Sequence, residues 1–535
     1  MRLSAVEGLV CMRLVLEIAL FFAVYATGMS VEANISERHP SVPVLAQLKG
    51  APAIRLTFHA KRAAMTFNGQ LTAQVTVIPR SSNASAFEFD AILTQVGPEH
   101  TEEFMWLDNG AYWSKIQDDK VVQAGCIQED QLPPLHLVAS SISQAQIVHG
   151  LVNDNIDCPL DGSLLELSFA SELYVVCTTS SHRFSHAKGA FLDVDIEYLS
   201  QDDHVPAIQA PQSPNGDILS CPSIRWPSQP LVKDANLATE RRRRLSTATQ
   251  AASCGCKMER KPCLFMDGVG HRESIPLQSS YPKTWGNIEN HAPCCSSTTF
   301  ARFETVTRDW NNPSLQADFC NAALSVSGSS STTIGKLILV THSMGNLIAA
   351  AAAASGVCHF TSDLTWVTLS GPMTGSQAAN LLETECAKND TQWFSKLAGP
   401  ALELFGYCPV QPAYASLKYI TTVDSSLQQK YAAAQAIRRQ FVSRVLCGVS
   451  PGGLISVGSV GMQAVAALAP FDTKDNDGLV TFSSCTAGIN VDFGTDAETA
   501  INYRATLNHL DTSFRNGDGW WSKDKMPSRW FECTF

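Results

Sequence analysis

The chain has 535 residues, more than one ordinary core accommodates and enough for two or three domains. Hydrophobic residues make up 45% and charged residues 17%, which excludes global disorder. The net charge is -11 and the single dense basic run is Arg241, Arg242, Arg243 and Arg244, so the basic face that nucleic acid requires is absent.

The N-terminus reads as a signal peptide over residues 1–28. Arg13 precedes an apolar run at 14–26, broken once by Glu17. Ala26 and Gly28, or Val31 and Ala33, offer small residues for cleavage. An uncleaved anchor is the alternative, although the run is short against the ~20 residues a span needs. The apolar stretch at 455–470 is short and broken by glycine and serine, so it is not expected to span either. Of 17 cysteines, Cys11 falls in the signal and sixteen remain. Four (Cys126, Cys158, Cys177, Cys221) precede residue 230 and twelve run from Cys254 onward, so each half can close its own disulfides in an oxidising compartment. Metal binding by Cys254, Cys256 and Cys263 is the alternative, at a spacing unusual for zinc. Asn34, Asn83 and Asn389 open N-x-S/T triplets, in keeping with a secreted glycoprotein.

From about residue 50 to 200, within a domain placed at 34–202, apolar and polar side chains alternate in strand fashion, as at 70–78, 87–93, 164–177 and 191–198. Period two puts one face on a core and one in water, predicting a mainly antiparallel β domain. One helix over 135–150 is expected to cover it. This half shows no catalytic motif; it reads as a supporting domain, with a lipid- or partner-binding barrel as the alternative. Residues 203–252 form a linker, with prolines at 206, 211, 214, 222, 227 and 230 opposing helix and central strand. The four arginines stand in that linker as a candidate site for a processing protease, or as a solvated charge run. Over 253–535 the rhythm changes. Strand-like runs at 262–266, 302–306, 336–340 and 364–369 alternate with helical ones such as 347–354, which predicts an α/β domain with a mainly parallel sheet. Residues 375–470 read as a cap or lid insertion, with a helix at 427–445 and Cys386, Cys408 and Cys447 as staples.

The strand ending at Val340 runs into Thr341-His342-Ser343-Met344-Gly345 and then an alanine-rich helix. Strand, sharp turn and helix are what a nucleophile elbow requires: the turn lifts the serine hydroxyl above the sheet, and small neighbours let the two backbones approach. Gly345 meets that need; Thr341 replaces the usual first glycine. A serine hydroxyl needs a base and a carboxylate that orients it. After Ser343 the histidines are His359, which precedes any acid loop, and His509 in Asn508-His509-Leu510-Asp511. Asp477 sits between, in Asn476-Asp477-Gly478-Leu479-Val480.

These motifs resemble those of bacterial triacylglycerol lipases and related α/β-hydrolase lipases, patchily, over roughly residues 260–515. The resemblance implies an α/β-hydrolase domain with Ser343 as nucleophile, Asp477 as acid and His509 as base. It implies an oxyanion hole from the amides of Met344 and Val269, the latter in Asp267-Gly268-Val269-Gly270-His271. The family usually has His-Gly where this chain has Asp267-Gly268, and His271 is read as a loop residue rather than a second base. Some relatives hold a structural calcium through the aspartate two after the histidine. Asp511 takes that position, but Arg515 replaces the neutral ligand that follows, so Asp511 is read as a hydrogen-bonding or ion-pairing group and no metal or cofactor is expected.

The expected activity is hydrolysis of a carboxylic ester, a lipid or acyl ester by resemblance, with contact to a lipid or membrane surface. Acyl transfer or removal of a lipid anchor would use the same site. A catalytically inactive hydrolase-like binding protein is the reading from another class. Asp267 and the large N-terminal domain favour it, and the order Ser, Asp, His opposes it. Trp520, Trp521 and Trp530 are read as packing residues, with lipid contact as the alternative.

Overall fold

The computed structural model describes residues 41–535 except 68, 81–86, 98–99, 149–157, 159–161, 171, 227–253, 330 and 389–407. The signal segment, the four arginines and the three candidate glycosylation sites lie outside the described residues. Among those described, no helix is long and apolar enough to cross a membrane.

The alternating half forms one eleven-stranded antiparallel sheet. Its strands are β1 (Ala53–Ala60), β2 (Thr72–Pro79), β3 (Phe89–Val96), β4 (Thr101–Leu107), β5 (Gly110–Gln117), β6 (Lys120–Cys126), β7 (Gln146–Ile147), β8 (Ser163–Phe169), β9 (Glu172–Thr178), β10 (Phe184–Lys188) and β11 (Leu192–Leu199). The order is β6-β5-β4-β3-β2-β1-β11-β10-β9-β8-β7, so strands consecutive in sequence pair except β6 and β7, which form the two edges, and β1 joins β11 at the centre. The predicted single run at 164–177 is a hairpin, β8 and β9. The helix expected over 135–150 is shorter: a 3-10 turn at Leu135–Leu137, a helix at Val138–Ser143, then β7. Ser140 and Ser143 bond their hydroxyls to nearby carbonyls, and Ile147 is drawn into pairing with Leu165.

The second half is an α/β domain around a seven-stranded mixed sheet. Its strands are β12 (Lys261–Met266), β13 (Ile275–Gln278), β14 (Cys295–Arg302), β16 (Ile338–His342), β18 (Thr365–Leu369), β19 (Val442–Gly448) and β20 (Tyr503–Ala505), in the order β13-β14-β12-β16-β18-β19-β20. All neighbours are parallel except β13 with β14. Two short strands, β15 (Thr333–Ile334) and β17 (His359–Phe360), pair apart from it. The strand expected at 302–306 lies earlier, as β14, and 303–306 is loop. The segment 375–470 is not one cap either. The helix expected at 427–445 is Ser425–Phe441, and the chain then enters the central sheet as β19.

Alternation along β12 and β16 divides the core. Leu264, Met266 and Leu339 join a cluster with the helices Pro313–Ser327, Gly345–Ala354 and Gln377–Ala387. Cys263, Phe265, Ile338 and Val340 face the other way. They join a cluster that runs through Trp285, Trp530 and Phe531 to Trp520 and the inner face of the first sheet. The antiparallel sheet therefore shares a core with the parallel one. Polar bonds follow the same seam: Trp520 Nε1 donates to the Met65 carbonyl (2.8 Å) and Gln131 Nε2 to the Gly452 carbonyl (3.2 Å).

Eight disulfides use all sixteen remaining cysteines, a pattern of oxidising compartments. Cys126–Cys221 and Cys158–Cys177 lie in the first half. Cys254–Cys533, Cys256–Cys294 and Cys263–Cys295 occupy the cysteines weighed as metal ligands. Cys320–Cys358, Cys386–Cys408 and Cys447–Cys485 complete the set, so Cys447 ties β19 to the acid-loop side and does not staple a cap.

Candidate active site

Ser343 lies between β16 and the helix Gly345–Ala354 with φ +54°, a left-handed conformation that costs a non-glycine residue strain. The surroundings hold it there. The Ser343 amide donates to the Leu369 carbonyl (3.0 Å). Asn346 Nδ2 donates to the carbonyls of Ser343 (2.9 Å) and Leu369 (3.1 Å), and its Oδ1 accepts from the Thr341 hydroxyl (2.7 Å). Trp366 Nε1 in turn donates to Thr341 Oγ1 (2.8 Å). Thr341, which stands in place of the usual first glycine, is thus a bonded part of the turn. A Cβ on Gly345 would stand 2.8 Å from the Asp267 carbonyl oxygen, and one on Gly268 would stand 2.6 Å from Ser343 Cβ. Both glycines are required by close backbone approach.

Ser343, His509 and Asp477 come together. His509 Nε2 is 2.8 Å from Ser343 Oγ, and His509 Nδ1 is 2.8 Å from Asp477 Oδ2. Asp477 Oδ1 accepts from the amides of Leu479 (3.0 Å) and Val480 (2.7 Å), and the His509 amide donates to the Asp477 carbonyl (2.8 Å). Acceptor-only Asp477 requires the proton on Nδ1 of neutral His509, which leaves Nε2 to accept from the serine. Asp477 and His509 are buried; Ser343 is 7% exposed. The arrangement can deprotonate a serine hydroxyl.

Val269 lies in the loop after β12, one residue beyond the glycine pressed against Ser343 and the Met344 amide. Thr305 pins the loop: its hydroxyl donates to the Gly268 carbonyl (2.9 Å) and its amide to the His271 carbonyl (2.8 Å). The Gly268 amide is taken by Asp267 Oδ1 (2.7 Å).

Sequence reasoning missed the network behind the triad. Asp267 Oδ1 lies 2.9 Å from His342 Nδ1, and Asp267 Oδ2 lies 3.0 Å from His271 Nε2. His342 Nε2 lies 2.9 Å from the carbonyl of His509 and 3.3 Å from Thr512 Oγ1. Burial pushes the Asp267 carboxyl up, but the bonds and charges of His271 and His342 outweigh it and hold the group well below the ordinary range. Burial holds the His342 imidazole below its ordinary value, with Asp267 pulling the other way. The departure from the lipase His-Gly was the one available signal.

Asp511 is wholly buried. Its Oδ2 accepts from the Leu454 amide (2.8 Å) and its Oδ1 from Asn516 Nδ2 (2.7 Å), which engages the oxygens a cation would need. Burial raises its pKa to about 6. Among the described residues no group of three His, Cys, Asp or Glu could hold a metal ion.

No family model matches the chain, and no curated protein does. Among solved structures it is similar to LprF of Mycobacterium bovis, at 11% identity over 31% of this chain and 94% of that one, with a TM-score of 0.21. It is similar to a haloalkane dehalogenase loop variant of Bradyrhizobium elkanii, at 17% identity over 40% and 80%, with a TM-score of 0.21. The thioesterase domain Vlm2 is 8% identical over 49% and 91%, with a TM-score of 0.19. At these TM-scores the likenesses carry no argument about this chain.

Proposed function

We propose that the chain is an exported serine hydrolase of the α/β-hydrolase class that cleaves carboxylic esters, lipid esters by the resemblance of its motifs. The observation that carries this reading is the pair of 2.8 Å contacts that link Ser343 to His509 and His509 to Asp477. His509 takes the Ser343 proton as Oγ attacks the ester carbonyl. The amides of Met344 and Val269 receive the oxyanion, at the N-terminus of the helix Gly345–Ala354 where the helix dipole favours negative charge. His509 then gives its proton to the leaving alcohol and activates the water that frees the acyl group. Asp477 fixes the tautomer throughout. The strain at Ser343 and the close packing of its loop also support this reading over an inert binding protein.

The test is covalent. A fluorophosphonate probe labels the purified chain, and Ser343→Ala abolishes labelling while lowering kcat on a p-nitrophenyl ester by about 10⁴-fold or more. Labelling that survives Ser343→Ala overturns the assignment.

A further inference from the structure

The inner face of the first sheet does not close fully on the α/β domain. Between them lies a cavity of about 430 Å³, within the roughly 300–1,000 Å³ common for small-molecule sites. Ser343, Asp477 and His509 do not line it, so it is distinct from the candidate active site.

One wall is apolar and aromatic. Phe58 and Ala73, partners across β1 and β2, contribute with Phe67, Trp520 and Trp521. Phe58 stands edge-on to Trp521 with centroids 5.2 Å apart, and Phe67 to Trp520 at 5.9 Å. The other wall is polar: Arg515, Lys525 and His291 line it. Lys525, at 8% exposure, donates to the Asp130 carbonyl. His291, also at 8%, bonds Glu532 through Nδ1 (2.7 Å), while its Nε2 is buried with no hydrogen-bond partner. Arg515 Nε is buried and unpartnered as well. The lining carboxylates do not answer them. Asp518 is taken by Arg62 (3.0 Å) and the Ser528 amide (2.7 Å). Glu102 lies opposite Lys115 on the sheet and 3.4 Å from His100. Buried polar nitrogens are ordinarily satisfied, so the buried Nε–H of Arg515, a donor with no partner in the chain, calls for an acceptor from outside it.

We propose that this cavity binds a long-chain carboxylate, its alkyl tail against Phe58, Phe67, Trp520 and Trp521 and its head at Arg515. An alkyl chain matches the aromatic wall, and a carboxylate supplies the acceptor oxygen that Arg515 Nε lacks. The site stands whether or not Ser343 is a nucleophile.

The full chain carrying Ser343→Ala is irradiated with a diazirine-bearing palmitate, and the labelled peptides are mapped by mass spectrometry. Label is expected between Phe58 and Ala73 or between Phe514 and Trp521. Dodecanoate should compete at least tenfold better than dodecylamine. Ala73→Phe, which fills the cavity from the sheet, should cut the label there at least fivefold. Arg515→Gln should weaken dodecanoate competition about tenfold and leave dodecanol unchanged, with circular dichroism melts confirming that both variants fold. The proposal is overturned by absence of label in these peptides, by label confined to the surroundings of residue 343, by equal competition from amine and carboxylate, or by an unaltered signal in folded Ala73→Phe. The fluorophosphonate result on the native serine is independent of each of these outcomes.

Discussion

Asp267 ties together three segments that the proposed chemistry needs in register. Its Oδ1 takes the Gly268 amide in the loop after β12 and His342 beside Ser343; through His342 it reaches the carbonyl of His509. It is a positioning residue: no reacting atom touches it. Asp267→Asn keeps the shape and removes the charge, so the loop should stay folded but lose its fixed spacing to Ser343. We expect kcat on an ester substrate to fall about tenfold to a hundredfold, less than the ~10²–10³ typical of losing an oxyanion donor. KM should hold, and the melting temperature should move by a few degrees at most. An unchanged kcat would remove Asp267 from the site. Contacts of this kind are hard to read in a sequence. Asp267 and His342 are 75 residues apart, and His342 and His509 are 167 apart, so nothing local announces them.

The elbow is the opposite case, because strand, turn and helix are contiguous and the motif could be read with its flanks. Even so, the sequence view of Thr341 as a departure missed its bonds to Asn346 and Trp366, since the indole arrives from the next strand. Two strands were misplaced for reasons that also belong to elements. β14 begins at Cys295, within a polar stretch whose burial comes from pairing with β12, while the apolar cues at Phe303 and Val306 belong to the loop beyond. β19 follows the helix Ser425–Phe441 with no glycine or proline between, so the sequence shows no boundary. The close approach at the elbow gives a direct prediction. Gly345→Ala places a methyl 2.8 Å from the Asp267 carbonyl and 3.0 Å from that of Met266, both backbone atoms that cannot swing aside. It should destabilise the fold by about 1–3 kcal/mol through overpacking. It should also slow fluorophosphonate labelling more than tenfold, because helix and oxyanion loop must separate. A variant that melts and labels like the native chain would show that the two backbones have room.

At the scale of the molecule, the N-terminal sheet is a structural layer of the α/β domain. The six C-terminal disulfides and the two N-terminal ones do not cross between the halves, so their union rests on the shared core and a few ionic contacts. Glu532 is central to these. Its carboxylate accepts from Arg62 of the N-terminal half (2.8 Å), from Arg529 (3.1 Å) and from His291 (2.7 Å). Burial works against its charge, but His291 and Arg62 prevail and bring its pKa down from the ordinary 4.5 to about 2. As pH falls, the unfolded chain therefore takes up this proton before the folded one does. The contribution is complete above about pH 4.5 and is lost between there and pH 2. Asp511 has the reverse sign. Raised by burial to about 6 from 3.8, it makes the folded state less stable as pH rises through that interval. Glu532→Gln should cost about 2–3 kcal/mol at pH 7, since it leaves Arg62 and Arg529 without their shared partner. The deficit should hold down to about pH 4.5 and then shrink toward zero near pH 2, where the native group is itself protonated. Urea titrations followed by tryptophan fluorescence across this range measure it. A deficit that stays constant with pH would mean that Glu532 acts through packing, and the seam between the halves would then be apolar in its energetics as well as in its composition.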